Sequence, residues 1–213
     1  MVDAKISGLY VIVDPDACLG RDALDVAKQA LEGGASMLQW RDKRREKGAQ
    51  LPEVRALNEL CKERGALLIV NDHADLALAA GADGVHVGQG DLPVDAVRRV
   101  VPSNFIVGAS TNNVAEALEA EAAGASYIAI GSIYPTSSKE PERTRAASPA
   151  RLSEVKAAVG VPVVAIGGID ASNVEEVLRA GADAVAVISA VCGADDPQQA
   201  TRVLVEQQGL RAV

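Results

Sequence analysis

Five side chains carry most of the chemistry that can be read from this sequence: the cations Arg41, Lys43 and Lys139, and the acids Asp72 and Asp91. Arginine grips a phosphoryl group through two parallel N–H bonds, and lysine supplies a compact point charge. Two neighbouring carboxylates suit Mg²⁺, which takes a few hard oxygen ligands and fills its shell with water and substrate phosphate oxygens. Arg41 and Lys43 are two residues apart, so a continuing strand would point both to the side of Gln39. Such a set handles a small, strongly anionic group. Helix capping is the competing role for the acids, because Asp72 precedes a helix beginning near Ala74 and Asp91 precedes Leu92-Pro93.

A glycine pair suggests a second anion site. Gly167 and Gly168 follow an apolar run, and a residue without Cβ lets backbone N–H groups come close to an oxyanion. Ser189-Ala190-Val191-Cys192 follows the next apolar run and suits a short helix whose N-terminus faces the same place. His73 and His86 are the only histidines, with no Cys or His partner at ligand spacing. That excludes a zinc site, and both are read as structural, with His86 directed inward between Val85 and Val87.

These residues need a frame that brings distant segments together. A phrase recurs as GGASMLQW at 33–40, AGADGVHV at 80–87, AGASYIAI at 123–130 and AGADAVAV at 180–187. Each copy closes an amphipathic segment with glycine and opens a buried strand. Eight strands follow from the pattern: Leu9–Val13, Met37–Trp40, Ala66–Val70, Gly84–Val87, Phe105–Gly108, Tyr127–Ile130, Val163–Ile166 and Ala184–Ile188. Helical periods fall between them, among others at Asp22–Glu32, Pro52–Arg64, Val114–Ala123, Ser172–Ala180 and Pro197–Gln207. Alternating strands and helices in this number predict a (β/α)₈ TIM barrel, a single domain over residues 1–213. An open doubly wound sheet would show a glycine-rich fingerprint after its first strand, and none is present.

In such a barrel the chemistry sits at the C-terminal ends of the strands. Polar or glycine residues follow nearly every strand on that side: Gln39, Arg41 and Lys43; Asn71 and Asp72; Gln89 and Asp91; Ser110 and Thr111; Thr136, Ser137, Ser138 and Lys139; Gly167 and Gly168; and Ser189. The segment from Gly131 to Ser148 has no helical period and reads as a lid over this mouth.

Composition narrows the class further. A net charge of −8 argues against a nucleic-acid binder. Yet Arg41, Lys43, Arg44, Arg45 and Lys47 crowd into one short segment, and Lys139, Arg143 and Arg145 into another. Arg44 and Arg45, further from the strand end, read as solvated. No apolar run approaches the ~20 residues of a membrane span, and no signal peptide is evident. Cys18, Cys61 and Cys192, unpaired in number, read as free thiols of a reducing, cytoplasmic compartment. The expected partners are phosphorylated small molecules, with room for a homo-oligomer and none for nucleic acid or membrane.

GLYVIVD, QWRDK at 39–43, ND at 71–72, GADGVHVGQGDLP at 81–93, GAST at 108–111, GSIYPTSSK at 131–139, VPVVAIGGI at 161–169 and AVAVISAV at 184–191 resemble, in that order, the thiamine phosphate synthase family. The likeness spans nearly the whole chain. It implies coupling of hydroxymethylpyrimidine diphosphate to hydroxyethylthiazole phosphate, with diphosphate leaving by a dissociative path. It implies that Gln39, Arg41, Lys43, Asn71, Ser110 and Lys139 hold the pyrimidine diphosphate, with Arg41, Lys43, Ser110 and Lys139 as the catalytic set. Asp72 and Asp91 would bind Mg²⁺, and Thr136, Ser138, Gly168, Ile188 and Ser189 the thiazole phosphate. Trp40, Asp42 and Ser137 lie inside the same motifs and are counted with the substrate-binding residues. Trp40 and Asp42 depart from the family's usual Leu and Glu, His73 stands where Arg is common, and Ser138 where Thr is. Two other readings compete: a thiazole tautomerase-like isomerase and a non-catalytic phosphate sensor. The first would want a histidine after strand 5, where this chain has Ser110-Thr111-Asn112-Asn113.

Overall fold

The structure, a computed structural model, describes residues 6–136 and 147–209. Its strands are β1 (Gly8–Val13), β2 (Met37–Trp40), β3 (Leu67–Asn71), β4 (Gly84–Val87), β5 (Ile106–Thr111), β6 (Tyr127–Ile130), β7 (Val163–Ile166) and β8 (Ala184–Val187). Each lies parallel to the next and β8 returns to β1, which closes the barrel. Helices α1 (Ala23–Glu32), α2 (Lys47–Arg64), α3 (Ala74–Ala80), α4 (Val94–Arg98), α5 (Val114–Ala122), α6 (Pro149–Ala158), α7 (Val174–Arg179), α8 (Ser189–Cys192) and α9 (Pro197–Gln207) fill the crossovers and the end of the chain. The fold is the expected (β/α)₈ barrel. Among the described residues, no helix is long and apolar enough to cross a membrane.

Strand alternation divides the apolar residues into two cores. Leu9, Val11, Val13, Leu38, Trp40, Val85 and Val107 face the helices and pack with residues such as Val26, Leu57 and Val177. Tyr10, Ile12, Met37, Ile69, Ile106, Tyr127, Val164 and Ala186 face inward and fill the barrel. Most of the inward set is aliphatic, which makes the lower barrel a solid plug rather than a channel.

The recurring Gly-Ala-Asp/Ser phrase forms the rim at the N-terminal ends of the strands. Gly34, Gly81, Gly124 and Gly181 take φ of 101°, 73°, 97° and 102°, the left-handed turn that ends a helix at little cost only for glycine. The fourth residue of each copy then stitches the strand to a neighbour. The Asp83 carboxylate accepts from Leu68 N–H at 2.8 Å, and that of Asp183 from Val163 N–H at 2.7 Å. Ser126 Oγ accepts from Val107 N–H at 3.1 Å, and Ser36 Oγ donates to Ser7 C=O at 2.6 Å.

Several boundaries differ from those expected. Helix α2 begins at Lys47, with Pro52 inside it rather than at its start. Pro52 removes one bond, to the carbonyl of residue 48; Gly48 is exposed, so water can take that carbonyl. β5 runs on through Ser110 and Thr111, which pair in register with Ala129 and Ile130 of β6. β2 stops at Trp40, so Arg41 and Lys43 lie on a turn and not on a continuing strand.

Candidate functional site

The strand ends gather the predicted residues on one side of the barrel. Asp72 and Asp91 follow the neighbouring strands β3 and β4, and their carboxyl groups meet. Burial, then contact with Asp91, raises the Asp72 carboxyl above the usual carboxylate range. Lys43 Nζ stands 3.6 Å from Asp72 Oδ2 across the gap from β2. Neither acid takes the competing role of helix cap: α3 is preceded by His73 and α4 by Pro93, and neither helix start has a side-chain cap bond. Asp91 instead accepts from Gly88 N–H at 2.8 Å, which holds the β4 loop. Asp72 has φ of +61°, a left-handed backbone rare outside glycine and asparagine-like residues and a mark of a position held for its side chain.

The basic segment after β2 divides as expected. Arg44 pairs with Asp16 at 2.8 Å with both side chains mostly exposed, and Lys47 pairs with Asp75. Arg45 is taken by Asp42 and Glu53. Arg41 and Lys43 remain beside the strand ends. Arg41 is bound by Asp14, a residue the sequence reading passed over. The signal was available, for Asp14 follows β1 on the same side as every other candidate.

Two predicted substrate contacts are corrected. The Trp40 side chain is buried among the helices, donates to Gln50 Oε1 at 2.9 Å and lies under the Arg45 guanidinium. Strand alternation alone sends it to the opposite face from Gln39. Asp42 accepts from the backbone N–H of Arg44 and Arg45 and from the Arg45 side chain, so its oxygens hold the turn together. Both support the segment from behind.

Gln39 and Ser110 do face inward, and a buried chain of hydrogen bonds joins them. Gln39 Nε2 donates to Tyr10 Oη at 2.6 Å, and Tyr10 Oη lies 3.1 Å from Tyr127 Oη. His86 Nδ1 is 3.0 Å from Tyr127 Oη, and its Nε2 is 2.8 Å from Ser110 Oγ. Burial holds both phenols well above their ordinary titration range, so they stay neutral. Gly108 makes the arrangement possible: a Cβ there would lie 2.1 Å from the Tyr127 ring. His86 is therefore more than the structural residue expected. Asn71, at the end of β3, is paired in register with His86.

The glycine pair and the short helix after β8 also lie side by side. β7 and β8 are neighbours, which sets Gly167 and Gly168 beside Ile188 and the start of α8. Gly167 and Gly168 have φ of +103° and +63°, and a Cβ at Gly168 would lie 2.6 Å from Pro135 C=O. Their carbonyls are tied back, Gly167 to Tyr134 N–H at 3.0 Å and Gly168 to the Asn173 side chain at 2.9 Å. What the pair has left to offer is N–H donors, as do the first residues of any helix. Thr136 lies at the edge of this region, partly buried. Ser137, Ser138 and Lys139, and most of the expected lid, lie outside the described residues. Cys18, Cys61 and Cys192 are buried and free.

Residues 9–191 match the family model described as thiamine monophosphate synthase. A thiamine-phosphate synthase of Methanoculleus marisnigri is 48% identical, over 92% of each chain. One of Shouchella clausii is 45% identical, over 92% of this chain and 94% of its own. Among solved structures, a thiamine phosphate pyrophosphorylase from Pyrococcus furiosus superposes with a TM-score of 0.90 at 39% identity, over 97% of each chain.

Proposed function

The chain belongs to the thiamine monophosphate synthase family and has its transferase activity, and from that premise we propose how the mouth of this barrel performs it. The substrates are hydroxymethylpyrimidine diphosphate and hydroxyethylthiazole phosphate. Arg41, Lys43 and Lys139 hold the diphosphate. Gln39, Asn71 and Ser110 hold the pyrimidine. Gly168, Ile188, Ser189, Thr136 and Ser138 hold the thiazole phosphate, and Ser137 is counted with the substrate-binding residues.

The observation that carries this reading is the meeting of Asp72, Asp91 and Lys43 from three successive strands. Two acids in contact, with burial opposing the charge of Asp72, form a poor resting arrangement for a protein alone. They suit a divalent cation, although a cluster of three or more such ligands is absent among the described residues. Mg²⁺ is proposed here because it takes few protein ligands and completes its shell with diphosphate oxygens and water. Bound there, it would offset charge on the departing diphosphate.

The chain's own part is electrostatic. As the carbon–oxygen bond lengthens, negative charge collects on the leaving group, and Arg41 and Lys43 are the cations proposed to answer it. Preorganised stabilisation of this kind is worth roughly 3–4 kcal/mol per donor. The thiazole nitrogen is a nucleophile without deprotonation, so no general base is required, and none is offered by the β5 loop, where Asn112 and Asn113 bond Glu116. That same absence of a histidine after β5 sets the isomerase reading aside. Mixing both substrates with Mg²⁺ and measuring diphosphate release tests the proposal. Absence of release with the intact chain would refute it.

A further inference from the structure

The hydrogen-bond chain across the barrel floor has a sense of direction, and that sense has a consequence for the ligand. Gln39 gives an amide N–H to Tyr10, so the Tyr10 hydroxyl is free to donate onward. Its neighbour is Tyr127 Oη, at 3.1 Å. In that sense Tyr127 accepts from Tyr10, and its own O–H is the one turned to His86 Nδ1, 3.0 Å away. A neutral imidazole that accepts at Nδ1 carries its proton on Nε2, and Nε2 is 2.8 Å from Ser110 Oγ. Ser110 therefore accepts from His86 and has its own O–H left to give.

We propose that His86, Tyr127 and Tyr10 are positioning residues that make Ser110 a hydrogen-bond donor toward the pyrimidine and orient the Gln39 amide, which keeps Oε1 and its second N–H for the ligand. The claim rests on the assignment of Gln39 and Ser110 to that substrate. Each phenol accepts on one side and donates on the other, and the imidazole accepts at Nδ1 and donates from Nε2, so the Gln39 amide and the Ser110 hydroxyl are not oriented independently. A ligand that fits offers a lone pair to Ser110 and an N–H to Gln39 Oε1. An aminopyrimidine carries both on one ring, whereas a hydroxypyrimidine in its keto form replaces the amino donor by an acceptor.

The packing holds the relay in place. Tyr127 lies nearly parallel to the His86 ring, at 22° and 5.6 Å between centroids, and edge-on to Tyr10 at 79° and 6.3 Å. Both tyrosines are at most 2% exposed, so water does not compete for their hydroxyls. Their raised pKa values keep the phenols as orienters and not as acids.

The direct test is the tautomer of His86, read from ¹⁵N chemical shifts at a pH where the ring is neutral. With only two histidines in the chain, His73→Gln leaves a single imidazole to observe. The expected result is a proton on Nε2 and a bare Nδ1. The opposite tautomer would reverse the relay and overturn the proposal. Kinetics supplies the second arm. Tyr127→Phe removes the donor to Nδ1 and should raise KM for the pyrimidine diphosphate by roughly tenfold, the worth of one well-placed hydrogen bond. KM for the thiazole phosphate should not move. An unchanged KM for the pyrimidine substrate, or an equal rise for both substrates, would overturn the assignment. His86→Gln, which keeps an N–H within reach of Ser110, should retain more activity than His86→Leu, and equal loss in two folded variants would count against it. A wild-type chain that releases no diphosphate would remove the substrate assignment while leaving the tautomer measurement valid, so the two failures are distinguishable.

Discussion

Aspartates stand at both ends of this barrel, in opposite circumstances. At the N-terminal rim, Asp83 and Asp183 receive backbone N–H groups from β3 and β7, and Asp183 also holds Lys156 at 2.6 Å. Their charge is answered by the protein. At the C-terminal mouth, Asp72 and Asp91 face each other, and burial opposes the Asp72 charge, with Lys43 standing 3.6 Å away and half exposed. Residue type alone does not separate structural from functional acids. What separates them is whether the chain satisfies the charge or leaves it for something else.

Substitutions can break or sharpen that contrast. Lys43→Ala, at the mouth, should lower turnover by about 10²-fold, the low end for loss of one preorganised donor, with an unchanged melting temperature. A large drop in melting temperature instead would make the mouth structural. Asp183→Ala, at the rim, should do the reverse. Stranding a buried N–H costs about 2 kcal/mol, which lowers Tm by about 4–8 °C in a chain of this size, while kcat per folded molecule stays constant. Lys139→Ala should cut steady-state turnover at least roughly tenfold without unfolding the chain. The mildest test is ligand-linked stability. Mg²⁺ with inorganic diphosphate at tenfold above its dissociation constant should stabilise the wild-type chain by about 1.4 kcal/mol. Asp72→Ala should lose that gain, and a gain that persists would remove Asp72 from the metal site.

The barrel was legible because its signals are local and repeated. Strand alternation and the Gly-Ala-Asp/Ser phrase place seven strands to within one residue at each end, and β5 runs three residues past its expected end. The errors fall where local signals conflict. Pro52 resembles a helix start, and Ser110 resembles a loop residue, yet exposed Gly48 and the pairing of β5 with β6 override those tendencies. In the site, the charged residues could be found because they directly follow strands. The exception is Trp40, whose place between Gln39 and Arg41 in the motif hid what alternation says about its face. Asp14 was missed although it directly follows β1, for its pairing with Arg41, 27 residues away, has no local signal. The relay from Gln39 to Ser110 was invisible for the same reason, since its members come from β1, β2, β4, β5 and β6 and only closure brings them together.

Gly108 carries a consequence for how such a chain can drift. The space its missing side chain leaves is already occupied by the Tyr127 ring. Adding even a methyl group at 108 evicts the ring, whereas shrinking Tyr127 opens a void that a larger residue at 108 could fill. The two positions are thus locked in evolutionary epistasis: neither can change alone, and a lineage that alters one is expected to carry a compensating change at the other.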